Sequence, residues 1–132
     1  MKNNMDYALS RTLDCDFDSA VERLTDSLKK EGFGILTELD LDQIFKEKLG
    51  KNFKRYKILG ACNPKFAYDA ITKEEDLGLI LPCKLAVQYV SDDQTRIVAI
   101  ESKHLFDIIG NPALNCIRDD IRMKVELALK FA

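Results

Sequence analysis

The chain has 132 residues, 46% of them apolar and 32% charged. That is one domain's worth, and the balance is that of a folded globular protein rather than a disordered one. Twenty Lys and Arg against 22 Asp and Glu leave a net charge of −2, which excludes a general nucleic-acid binder.

Tyr7 to Leu13 alternates at period 2 and predicts a strand. Asp16 is a good N-cap for the helix that follows, where Phe17, Ala20, Val21, Leu24 and Leu28 recur at helical spacing. Gly32 suits the end of that helix. Phe33, Ile35, Thr37 and Leu39 alternate with Gly34, Leu36 and Glu38, giving a second strand. Asp40 with Gln43 is a capping-box variant, and a short helix with Leu41, Ile44, Phe45 and Leu49 inward is expected, ended by Gly50. Lys54 to Leu59 reads as a third strand, broken by Gly60.

Asn63-Pro64 is the sharpest local signal, since Asn caps helices and Pro at the first helical position loses no needed hydrogen bond. A helix is predicted from Pro64 to about Lys73, then a short apolar strand at Gly78 to Leu81, interrupted by Pro82. Lys84 to Val90 and Arg96 to Glu101 form a hairpin around Ser91-Asp92-Asp93-Gln94. Asn111-Pro112 repeats the cap-then-proline device before a last helix with Leu114, Ile117, Ile121, Val125 and Leu129 inward. The order is about βαβαβαβ, a hairpin, then α. It predicts a two-layer α/β (α+β) domain over residues 1–132, a single antiparallel-rich mixed sheet with helices mainly on one face.

Met1 to Tyr7 has no apolar run of the kind a signal peptide carries. The stretch Leu77 to Cys83 is far short of a membrane span. A cytoplasmic protein with no membrane or nucleic-acid partner is expected, and Cys15, Cys62, Cys83 and Cys116 are expected as thiols. Gly32-Phe33-Gly34 lacks the third glycine of a dinucleotide loop, and a lone histidine excludes a multi-histidine zinc site. No cofactor and no metal are therefore expected. His104 reads as a surface residue in an irregular stretch, with a ligand or base role as the alternative. Glu38, Asp40 and Asp42 are one solvated residue, one cap and one helix-start acid, or else ligands for a hard cation.

Gly60-Ala61-Cys62-Asn63-Pro64 puts a thiol just before a helix N-terminus, where free N–H groups and the helix dipole favour an anion. Pro82-Cys83 supplies a second thiol at another strand break. The same residues also suit a purely space-filling role, because cysteine is among the most buried residue types. Three functional readings follow, in this order: a binding module, an interaction domain without ligand, and a thiol enzyme with Cys62 as nucleophile. The enzyme ranks last because no base beside the thiol has motif support.

Gly32-Phe33-Gly34-Ile35-Leu36-Thr37-Glu38-Leu39-Asp40, Tyr56 to Pro64 and Gly78 to Cys83 resemble the domain-of-unknown-function 302 family, in this order and separation. The resemblance implies a small two-layer α/β domain, often a dimer, with no established activity. Lys84 departs from the asparagine usual in that family after the second cysteine, and Ser102-Lys103 from an acidic-Pro pair. The ligand-binding candidates are Cys62, Asn63, Cys83, Lys84, Glu38 and Asp40, for a small anionic or thiol-reactive ligand or a soft metal. A homodimer is expected from the resemblance, with Leu85, Val87, Ile97 and Ala99 available to stack across a two-fold axis.

Overall fold

The computed structural model of the protein describes residues 7–132, so the reading of Met1–Asp6 lies outside the described residues. In chain order come β1 (Ala8–Leu13), α1 (Phe17–Lys30), β2 (Gly34–Asp40), α2 (Leu41–Leu49), β3 (Tyr56–Cys62) and α3 (Pro64–Lys73). A 3-10 turn at Glu75–Leu79 leads to the hairpin of β4 (Cys83–Ser91) and β5 (Gln94–Ile100). α4 (Ser102–Ile109), a 3-10 turn at Pro112–Leu114 and α5 (Asn115–Lys130) complete the chain. The sheet order is β1-β5-β4-β3-β2. Every pairing among the described residues is antiparallel, so the sheet is not mixed.

Strand alternation sorts the side chains. Leu9, Leu59, Leu85, Val87, Ile97 and Ala99 share one face by register and are buried in a single core cluster. Leu24, Leu28, Ile121, Val125 and Leu129 of α1 and α5 belong to the same cluster. Each fully buried Leu or Ile stabilises the fold by about 1.5–3 kcal/mol. The hairpin residues expected to stack across a two-fold axis are therefore inside this core, Val87 and Ile97 at 0% exposure, and are not available to a partner. Ser27 Oγ on α1 donates to the Ala128 carbonyl at 2.6 Å, and Arg11 Nη1 donates to the Leu129 and Lys130 carbonyls at 2.9 and 2.6 Å. These bonds satisfy end-of-helix carbonyls that α5 itself leaves unpaired.

Several elements differ from their sequence signals. Gly78 to Leu81 is not a strand; its first half, Gly78 and Leu79, lies in the 3-10 turn, where Leu77 is buried and Leu79 is exposed. Short apolar runs do not distinguish the two conformations. Gly60 does not break β3 but lies inside it, and the strand starts at Tyr56 rather than Lys54. The stretch around His104, read as irregular, lies in α4 (Ser102–Ile109). Its cap is Glu101, whose Oε1 accepts from the Lys103 N–H at 3.2 Å. Asn111 caps the 3-10 turn before α5, its Oδ1 accepting from the Ala113 N–H at 3.0 Å. Asp16 and Asp40 stand at N-cap positions without a side-chain capping bond.

Candidate functional site

The β3–β4 register sets Ala61 opposite Cys83 and Gly60 opposite Lys84. Cys62, Cys83 and Lys84 thus come to one end of the sheet, beside the start of α3. Gly60 is required there. A Cβ on it would run into the Thr37 side chain and lie 2.9 Å from Pro82 Cγ. The Leu81–Pro82 peptide is cis.

Cys62 and Cys83 border one crevice, walled also by Phe66, Pro82 and Ile121. Its free volume is about 10 Å³, at the threshold for a single water. Burial pushes the Cys83 thiol up to about 11, and neighbouring Cys62 adds to the rise. Cys83 is therefore a neutral thiol at pH 7. Asn63 is the N-cap of α3, yet its side chain makes no cap. Its Nδ2 instead faces the Glu31 carbonyl at 3.4 Å, over Gly32, whose φ of +87° is the left-handed conformation that favours glycine. The amide ties the end of α1 to the start of α3.

Glu38 and Asp40 do not join this group. Register places them opposite Leu59 and Lys57, on strand positions that alternate with those of Thr37 and Gly60. Both carboxylates neighbour Lys57 Nζ, at 3.8 and 3.6 Å. Asp42 Oδ1 accepts from the Tyr56 N–H at 3.1 Å. Among the described residues no cluster of three or more His, Cys, Asp or Glu is placed to hold a metal. His104 is exposed on α4. All four cysteines are free, with Cys116 exposed.

The other face of the sheet carries what the sequence did not single out. Val98, Ala86, Ile58 and Leu39 are register neighbours across β5, β4, β3 and β2, and form an apolar row. One side of the row is a polar ladder: Arg96 Nη1 donates to Gln88 Oε1 at 2.9 Å, and Gln88 Nε2 to Tyr56 Oη at 3.3 Å. The other side holds Lys84. It is exposed, and no acidic partner reaches its ammonium among the described residues. Two hollows share Lys84 and Ile100. The larger, about 200 Å³, runs over Ala86 and Val98 to Tyr56; the smaller, about 190 Å³, is closed by Ile80 and Leu105. The alternation of Ala86, Val98 and Ile100 between the core positions was the available signal, since a fully solvated face would carry polar residues there.

The family profile described as Domain of unknown function DUF302 matches residues 9–132. The chain belongs to this family. The crystal structure of an uncharacterized conserved DUF302 protein from Bacillus stearothermophilus is similar at a TM-score of 0.86 and 30% identity, covering 94% of this chain and 96% of that one. No functionally curated protein matches the chain. This DUF302 domain has no described helix long and apolar enough to cross a membrane.

Proposed function

We propose that this DUF302 domain is a binding module for a small anionic ligand held at Lys84 on the open sheet face. The observation that carries the reading is the Lys84 ammonium, without an acidic partner among the described residues and set between two apolar hollows. Apolar walls with one charged group that fixes orientation are the usual makeup of a small-molecule site. Cys62 and Cys83 border this end of the sheet as structural thiols. Their crevice has no room for a ligand, and a neutral Cys83 disfavours both nucleophilic chemistry and thiolate coordination of a soft metal.

The test is an amide-resolved NMR titration with acetate and phosphate. Shifts centred on Gly60, Lys84 and Ala86 that vanish in Lys84→Gln are expected. Shifts elsewhere, or unchanged in the variant, overturn the reading. A second reading, homodimerisation, is favoured by the same apolar row from Val98 to Leu39, which suits a self-complementary interface. Sedimentation of the wild type and Val98→Asp tests it: a dimer that the substitution dissociates supports pairing through this face.

A further inference from the structure

The shape of the open face says more about the ligand than its charge. Building on the Lys84 reading, we infer that the ligand is an amphipathic carboxylate whose apolar body lies along the larger hollow toward Tyr56. Among the described residues no acid pairs with the Lys84 ammonium, which suits a carboxylate. Past Lys84 the floor is Ala86, Val98 and Ile58 as far as Tyr56, which accepts from Gln88 in the neighbouring row. Gln88 is engaged by both Arg96 and Tyr56, Arg96 keeps its charge, and the apolar floor between Lys84 and this row is what favours an apolar body. The hollow is open to solvent, with a free volume of about 200 Å³. An apolar floor of this kind favours a carboxylate with an apolar body over acetate.

Both ends of such a ligand gain from the site. The carboxylate meets Lys84 where the apolar surroundings thin the solvent. Its methylenes cover side chains that are only half-buried in the free protein. Chain length and charge are therefore separate contributions, and each is read independently.

The experiment is calorimetric titration of the full chain with acetate, butanoate, hexanoate and octanoate, and with 1-octanol as the neutral control. Affinity should rise about fourfold for each added methylene that lies on the apolar floor. Lys84→Gln should weaken every carboxylate by about fivefold and leave octanol unchanged. Val98→Ser should flatten the chain-length series while acetate binding persists. Acetate bound at Lys84 with no gain from a longer chain overturns the amphipathic inference and leaves the anion reading intact. Octanol binding as tightly as octanoate, untouched by Lys84→Gln, overturns the anion reading itself. No binding by any probe, with a dimer that Val98→Asp dissociates, overturns both and gives the face to a second copy.

Discussion

The two faces of the sheet are built from the same strands and differ by one residue of alternation. On one, Leu59, Leu85, Val87, Ile97 and Ala99 are 0–2% exposed beneath helices. On the other, Ile58, Ala86, Val98 and Ile100 are half-buried, flanked by Lys84 and the Arg96–Gln88–Tyr56 ladder. The first face is committed to stability. The second keeps apolar surface within reach of solvent, the kind of surface on which the proposed ligand would lie. Hairpin residues a single position apart therefore differ sharply in burial.

Truncation on the two faces should separate them most clearly. Leu85→Ala should lower unfolding free energy by about 2–5 kcal/mol, and Val98→Ala by about 1 kcal/mol or less, in urea denaturation. Equal losses would remove the distinction. Cys83 shares the alternation of Leu85 and gives a pH test. Its folded thiol titrates at about 11 against an ordinary 9.0. Both states hold the proton below pH 9. Above it the unfolded chain loses the proton first, so stability falls and the loss is complete past the folded pKa. The expected loss is about 2–3 kcal/mol, and Cys83→Val should shed that part of the alkaline decline.

Gly60 belongs to the open side. Gly60→Ala should cost about 1–3 kcal/mol through collision with Thr37 and Pro82. Gly60→Ala with Thr37→Ala should recover part of that loss, because one of the two obstacles is gone; no recovery would place the strain elsewhere. Lys84→Gln should have the smallest effect, under about 0.5 kcal/mol by thermal melting, since an exposed charge stabilises little. A larger loss would make Lys84 a structural residue and sharpen the comparison the other way.

The long periodic elements were legible in the sequence. Phe17 to Leu28 and Ile117 to Leu129 carry helical repeats, and the hairpin carries alternation on both sides of a polar turn. α4 escaped because its cap is Glu101, a residue type that rarely caps, although Leu105, Phe106 and Ile109 with Gly110 after them carried a helical signal. Gly60 was misread because its smallness answers Thr37, a neighbour only in space. The candidate site was legible in part. The β3–β4 pairing joins Cys62, Cys83 and Lys84, but Glu38 and Asp40 fall on the alternate side of β2, with Lys57. Lys84 was visible as a cation, whereas its isolation depends on which face the helices leave open.

β2 lies at one edge of the sheet, and its ladder is interrupted between Ile35 and Thr37 by a bulge that turns Leu36 outward at 68% exposure. An incoming strand would find no unbroken run of donors and acceptors there. Past the bulge it would meet Glu38, Asp40 and Lys57. Edges irregular and charged in this way resist templated fibre growth. At that border the protein is shielded from aggregation by a flaw in its own regularity.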